Sequence, residues 1–268
     1  MIKFDYHTHS SHSPDSSAGM EDMINAAIAM GLEDYAITDH IDFGWPHGEI
    51  INSPYGIAKN VTAMEAAKKK FSDKINVLAG VEFSLRSDVD NIAQEIVNTY
   101  DFDFVIGSSH DVKGVDFFWP EFYDGRTIHE VYTLYYENLL DVVRNCNAYD
   151  VLGHFDYIKR LGKIVYDDTV CADCHEIIDA ILKIVISKGK GIEINTAGIT
   201  YGIGHLHPHI NILRQYVNLG GEIITVGSDA HRPENIAQHF DVAHDVLQQL
   251  GVKYIARFNR RKPIFTNI

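Results

Sequence analysis

Two histidines one residue apart, His7 and His9, close the first extended run of the chain, and Asp15 follows in the next loop. In an extended chain alternate side chains point the same way, so the two imidazoles project together. Two imidazoles on one face are half of a metal site, and a nearby carboxylate adds a hard oxygen ligand. A strand-end pair of this kind can equally be a polar rim, so the rest of the chain has to decide. The same residue types recur where later apolar runs end: His40, Glu82, His110, His154, Asp229 and His231. Together with the first three, these are more ligands than the four to six or so that one ion takes. A cluster of two or three ions is implied, and the two carboxylate oxygens of Glu82 could bridge them. Imidazole with carboxylate suits Zn, Fe or Mn; no cysteine falls in the set, which disfavours a structural zinc site.

The elements that must carry these residues alternate between strand and helix. Apolar, β-branched runs at Ile2–Tyr6, Tyr35–Thr38, Ile75–Val81, Phe104–Ser108, Val151–Leu152, Gly191–Ile194 and Glu222–Val226 predict seven strands. Helical patterns lie between them, over Met20–Gly31, Tyr55–Phe71, Asp88–Tyr100, Thr127–Asn145, Asp173–Ser187 and Pro208–Leu219. A last helix is expected from near Pro233 to Leu250, with a short tail after it. Ile41–Asn52 and the aromatic-rich Asp111–Arg126 read as loops. Repeated strand–helix units predict a parallel α/β barrel, with a doubly wound open sheet as the alternative. In a barrel all C-terminal strand ends meet at one mouth, where active sites form. Ligand-type residues from across the chain would converge there. No linker or repeat interrupts the pattern, so residues 1–268 are expected to form one domain.

Composition narrows the partners. The chain has 268 residues, 46% of them hydrophobic, and a net charge of −14 from 37 acids against 23 bases. A field of that sign repels nucleic acid and anionic membrane. It still admits a small phosphate ester, because bound divalent metals reverse the local sign. The three cysteines supply no disulfide framework. Met1 leads directly into a strand-like run, and no stretch reaches the roughly 20 apolar residues of a membrane helix. A soluble, cytoplasmic protein is expected.

The ordered motifs His7-x-His9 with Asp15, Thr38-Asp39-His40, Gly80-Val81-Glu82, Ser108-Ser109-His110, Gly153-His154-Phe155-Asp156 and Ser228-Asp229-Ala230-His231 span nearly the whole chain. This pattern resembles the polymerase-and-histidinol-phosphatase (PHP) superfamily of metal-dependent phosphoesterases. Within it, the segments from His7 to Ser17 and from His154 to Tyr157 are most similar to the monofunctional L-histidinol-phosphate phosphatases. The resemblance implies a distorted (β/α)7 TIM-like barrel with three divalent ions at the C-terminal strand ends. It implies His7, His9, Glu82 and Asp229 on one ion, Glu82, His110 and His154 on a second, and Asp15, His40 and His231 on a third. Many members carry histidine where this chain has Asp15. The implied reaction is hydrolysis of L-histidinol phosphate to L-histidinol and inorganic phosphate, in histidine biosynthesis, with a metal-bridging hydroxide attacking phosphorus.

A protein cation should help hold the phosphoryl group. Arg160, just after His154, is the expected one, since a guanidinium meets phosphate in a bidentate fork. Asp229 and His40 are expected to serve catalysis as well as metal binding, with Asp229 or a free histidine helping to protonate the leaving alkoxide. His12, Asp42, Trp45 and Trp119 sit on mouth loops as candidate contacts for the imidazole and ammonium of the substrate, though each reads more readily as packing or rim than as a contact. Alternatives are action on another small phosphate ester, an amidohydrolase-like metal hydrolase, or a non-catalytic metal-binding module. The amidohydrolase pattern usually bridges its metals with a carboxylated lysine; no lysine ends a strand here. Two further motifs read as decoys: Cys171-x-x-Cys174-His175 opens an amphipathic helix, and His205, His207 and His209 alternate around Pro208 in a polar loop.

Overall fold

The computed structural model describes residues 2–44, 50, 55–161 and 174–268. Seven strands lie side by side in chain order and all run parallel. They are β1 (Phe4–Asp5), β2 (Asp34–Ile37), β3 (Asn76–Ser84), β4 (Phe104–Ser108), β5 (Val151–Leu152), β6 (Gly191–Asn195) and β7 (Ile224–Gly227). The first and last strands close the ring through backbone hydrogen bonds rather than a regular ladder. Tyr6 N–H donates to Val226 O at 3.0 Å, Asp229 N–H to His7 O at 2.8 Å and His9 N–H to Ala230 O at 2.9 Å. The two-residue β1 and β5 and this irregular seam make the barrel distorted, as expected for the (β/α)7 arrangement; the open-sheet alternative is set aside.

The strands are buried on both faces, which is why they read as continuous apolar runs. Around them pack α1 (Met20–Ala29), α2 (Ile57–Phe71), α3 (Asp90–Thr99), α4 (Ile128–Asn145), α5 (His175–Ser187), α6 (Ile210–Asn218) and α7 (Phe240–Gln249). Each turns an apolar stripe inward; α4, for example, buries Tyr132, Tyr135, Tyr136, Leu139, Val142 and Val143. Its start is fixed by a capping box in which Thr127 and Glu130 satisfy each other's backbone N–H.

Four expectations need correcting. Strand β3 does not stop at Glu82 but runs on to Ser84, because the next two residues still pair, with Gly107 and Ser108. Glu82 therefore projects from inside a strand, rigidly held. Pro233 opens only a short 3-10 turn, Pro233–Asn235, and the final helix begins at Phe240. Asp111–Arg126 is not wholly irregular: Asp111–Val112 pairs with Val115–Asp116, and Phe117 and Phe122 are buried. Finally, the chain does not end in a tail. Tyr254–Asn259 (β8) and Lys262–Asn267 (β9) form an antiparallel hairpin.

That hairpin seals the end of the barrel where the strands begin. Phe258 packs tilted against Phe104 and edge-on against Tyr6, at ring centroid distances of 4.8 and 6.3 Å. Arg257 makes a two-pronged bond to Asp34 at the start of β2, at 2.6 and 2.5 Å. Arg261 grips Asp150, just before β5, at 2.9 and 3.1 Å. With one end of the barrel plugged, the opposite mouth is left for chemistry.

Candidate metal centre

Every ligand-type residue singled out in the sequence reaches the C-terminal mouth of the barrel. His7 and His9 leave β1 side by side, their Nε2 atoms 3.1 Å apart. Glu82 projects from β3 into the centre of the cluster. Its Oε2 lies 3.2 Å from His7 Nε2 and 3.1 Å from His40 Nδ1, and its Oε1 lies 2.9 Å from His154 Nε2 and 3.4 Å from His110 Nε2. Asp229 Oδ1 is 3.4 Å from His9 Nε2 and 3.6 Å from His7 Nε2. On the outer side Asp15 Oδ2 meets His231 Nε2 at 3.0 Å and His40 Nε2 at 3.4 Å.

The local sequence explains these positions. Asp39 is buried and accepts from Ser10 N–H at 2.6 Å, Ser10 Oγ at 2.9 Å and Ser13 Oγ at 3.1 Å, tying the loop after His9 to the end of β2. Burial pushes the Asp39 carboxyl up, opposed by these donors. Asp5, below the cluster, accepts from Ser228 N–H and Oγ at 2.9 and 2.6 Å, fixing the turn that presents Asp229. Asp229 itself sits at φ +54°, the left-handed region that aspartate tolerates better than most residues. Two bare glycines leave room for the ligands: a Cβ on Gly153 would lie 2.5 Å from Ser108 Oγ, and one on Gly227 would lie 2.3 Å from His7 Cβ.

Several ligand groups are held with their Nε2 lone pairs facing inward. His7 Nδ1 bonds Glu193 Oε1 at 2.7 Å, His9 Nδ1 bonds Ser13 Oγ at 3.1 Å and His231 Nδ1 bonds Asp229 O at 2.9 Å. With the proton on Nδ1, Nε2 is the free donor atom. Inward-facing nitrogens 3.1 and 3.4 Å apart, as in the pairs His7/His9 and His110/His154, repel unless a proton or cation lies between them. Burial and the neighbouring His231 and His40 push the His9 imidazole down to about 3, so it is neutral and ready to ligate. Burial would raise the Glu82 carboxyl, but His7 and His40 outweigh it and hold that carboxyl well below its usual range. Asp229 is held down in the same way, by His7 and Arg160 against burial. His110 is lifted to about 10, because Asp42 and Glu82 overcome the effect of burial.

Ligand atoms of His7, His9 and Glu82 lie within 4.8 Å of one another, and so do those of Glu82, His110 and His154 and those of His9, Asp15, His40 and His231. His7, His154 and Asp229 form another such group. Buried imidazoles and ionised carboxylates in these numbers fit divalent cations, and the residues present fit more than one of them.

The cluster floors a cleft of about 540 Å³ that also holds Asp42, Asp116, Phe118, Tyr157, Arg160 and Tyr201. The Arg160 guanidinium lies 4.9 Å from the Tyr157 ring centroid and 4.3 Å from that of Tyr201. Its Nη2 bonds Asp229 Oδ2 at 2.8 Å, while among the described residues its Nε is buried without a hydrogen-bond partner. Of the other mouth residues, Asp42 lines the cleft; His12 packs on Tyr55 and Trp119 is exposed outside it. Trp45 lies outside the described residues, as does Cys171. His207 is no loop ligand: it is buried and donates from Nδ1 to Asp156 at 2.6 Å.

Sequence reasoning missed Glu193, Asn195, Tyr157 and Tyr201. A glutamate inside the apolar run of β6 was the one available signal. A charged side chain in a strand buried on both faces needs a reason to be there.

Comparison with known proteins shows the family of this chain. Residues 5–197 match the PHP domain family. The chain is 30% identical over 263 residues to the histidinol-phosphatase of Lactococcus lactis, covering 98% of this chain and 96% of that protein. It is 31% identical to a probable histidinol-phosphatase of Clostridium acetobutylicum, covering 93% and 94% respectively. The fold superposes with a TM-score of 0.88 on the crystal structure of the Lactococcus lactis histidinol phosphate phosphatase complexed with zinc, L-histidinol and phosphate. That match has 28% identity and covers 98% of both chains. With ligand-type residues on successive strand ends and a match over most of its length, the chain belongs to the PHP domain family.

Proposed function

We propose that the protein is a divalent-metal-dependent phosphomonoesterase that hydrolyses L-histidinol phosphate to L-histidinol and inorganic phosphate, a step of histidine biosynthesis in the cytoplasm. The whole chain acts as one catalytic domain. The observation that carries this reading is the convergence of His7, His9, Asp15, His40, Glu82, His110, His154, Asp229 and His231 on one cleft beside a partly unpaired guanidinium. The names of the relatives and the ligands of the superposed structure support the choice of substrate.

Three cations, of Zn, Fe or Mn, are assigned to the centre: one on His7, His9, Glu82 and Asp229, one on Glu82, His110 and His154, and one on Asp15, His40 and His231. When bound, such cations supply Lewis acidity, making water a better nucleophile and neutralising phosphoryl oxygens. The protein does the remaining work. Arg160 lines the cleft and turns its guanidinium to a phosphoryl oxygen, and its two aromatic neighbours hold the group in place. Asp229, held ionised, accepts the proton of the attacking water through a carboxylate oxygen and passes it to the leaving alkoxide. His40 joins Glu82 to Asp15, so it couples the inner and outer parts of the site. At the mouth, the Asp42 and Asp116 carboxylates and the rings of Phe118 and Tyr157 suit a substrate whose organic half carries an ammonium and an imidazole.

The test is phosphate release from L-histidinol phosphate by protein of measured metal content. His40→Ala and Asp229→Ala should each lose most activity, and full activity in either would reject the assignment. The amidohydrolase-like alternative gains nothing here. The carboxylate central to the cluster is Glu82, and Lys159, five residues after His154, is buried against Asp156 at 2.8 Å.

A further inference from the structure

Beneath the cluster lies a buried carboxylate that touches neither the cleft nor any of the ligand groups described above except through His7 and the His154 backbone. Glu193 Oε1 accepts from His7 Nδ1 at 2.7 Å, and its Oε2 accepts from the His154 backbone N–H at 2.8 Å and from Asn195 Nδ2 at 3.2 Å. Its side chain is 1% exposed. We infer that Glu193 is a positioning residue for the metal centre: by accepting from Nδ1 it fixes the orientation and tautomer of His7, so that Nε2 presents its lone pair to a cation. The inference rests on the reading of His7 as a metal ligand.

Three features favour this over a purely structural role. First, all three donors need an acceptor, and only a carboxylate supplies one to each; a glutamine would turn its NH2 toward one of them. Second, the chain leaves deliberate space for the contact. A Cβ on Gly227 would lie 2.4 Å from Glu193 Oε1 and 2.3 Å from His7 Cβ, so only glycine lets the two side chains meet there. Third, the contact is a short one to a charged acceptor. His7 Nδ1 meets a carboxylate from another strand at 2.7 Å, whereas His9 Nδ1 meets the Ser13 hydroxyl at 3.1 Å and His231 Nδ1 the Asp229 backbone carbonyl at 2.9 Å. A carboxylate behind a ligating imidazole holds the ring in place and makes its distal nitrogen a stronger donor; losing it typically weakens metal binding about 10- to 100-fold.

The experiment measures zinc affinity by competition with a chromophoric chelator. It uses wild-type protein, Glu193→Gln, His7→Ala and the double variant, each stripped of metal and checked for folding by circular dichroism in EDTA. At the site that His7→Ala weakens, Glu193→Gln should bind zinc about 10- to 100-fold less tightly than wild type. In the His7→Ala background the same substitution should change zinc affinity less than about threefold, because the ring it positions is gone. Wild-type affinity in Glu193→Gln would overturn the inference, and so would an equal loss in both backgrounds, since general destabilisation does not depend on His7. Should Glu193→Gln fail to fold, Glu193→Asp, which keeps the charge on a shorter arm, carries the same cycle and the same two outcomes. If wild type takes up zinc but His7→Ala binds it as tightly, the ligand reading fails first. Zinc-free wild type would overturn both.

Discussion

At the scale of single residues, the role proposed for Arg160 separates binding of the phosphoryl group from binding of metal. Its guanidinium lies over the rings of Tyr157 and Tyr201 and is tethered to Asp229, which holds it at the cleft. Arg160→Ala should raise KM and lower kcat/KM by about 10²- to 10³-fold, in line with removal of a charge-stabilising donor, while metal content stays near wild type. Steady-state kinetics beside elemental analysis will read both, and unchanged kinetics would remove Arg160 from the site. A second residue-scale prediction concerns His207. Burial pushes its imidazole down to about 4, against the pull of Asp156. The folded value lies below the unfolded one, near 6.5. The stability that goes with the neutral ring is therefore complete above about pH 6.5 and is lost as pH falls toward 4, a loss on the order of 3 kcal/mol. In EDTA, Tm should fall less steeply over that interval in His207→Gln than in wild type; equal slopes would show that the ring does not titrate as described. The residues that gather at the mouth were legible in the sequence because histidine and carboxylate at strand ends are rare without a task. Glu193 and Tyr201 were not, since each meets its neighbours, His7 and Arg160, only once the chain has folded.

Among the elements, the short turns at strand ends matter more than the helices around them. Gly227→Ala would drive a Cβ into His7 and Glu193, whose atoms lie 2.3 and 2.4 Å from its ideal position. The expected result is a loss of metal binding on purification, with overall helix content retained. Full metal content would mean that the seam between β7 and β1 yields more readily than its backbone hydrogen bonds suggest. The hairpin β8–β9 gives the opposite expectation. Arg257→Ala removes a two-pronged bond to the buried Asp34, so stability should drop by about 1–3 kcal/mol. The plug lies at the far end of the barrel, so kcat per folded molecule should not change; a matched fall in kcat would link the two ends. The seven strands could be read from their apolar runs because both faces are covered. The hairpin could not. Its turn residues Arg260 and Arg261 adopt φ of +47° and +63° without the asparagine or glycine that usually marks such a turn, and β9 is mostly exposed.

For the molecule as a whole, the mouth of the barrel concentrates charge that the fold alone does not neutralise. Glu82, Asp229 and Asp15 are held ionised around one cleft, in a chain whose net charge is −14. Their partners in the absence of a cation are histidines on other strands, and the seam between β7 and β1 crosses the same region. Cations bound there would tie together the C-terminal ends of β1, β3, β4, β5 and β7, elements that chain connectivity joins only through helices. Removing them should therefore cost global stability as well as activity. A ligand present at about 100 times its Kd stabilises the folded state by about 2.7 kcal/mol per site. For a chain of this length each kcal/mol shifts Tm by about 2–4 °C. Dialysis against a strong chelator should lower Tm by at least several degrees and abolish phosphate release, and re-addition of Zn or Mn should restore both together. Recovery of Tm without activity would separate the structural ions from the catalytic ones. An unchanged Tm after complete metal removal, verified by elemental analysis, would show that the barrel closes without them and that the cluster is held open by its protein contacts alone.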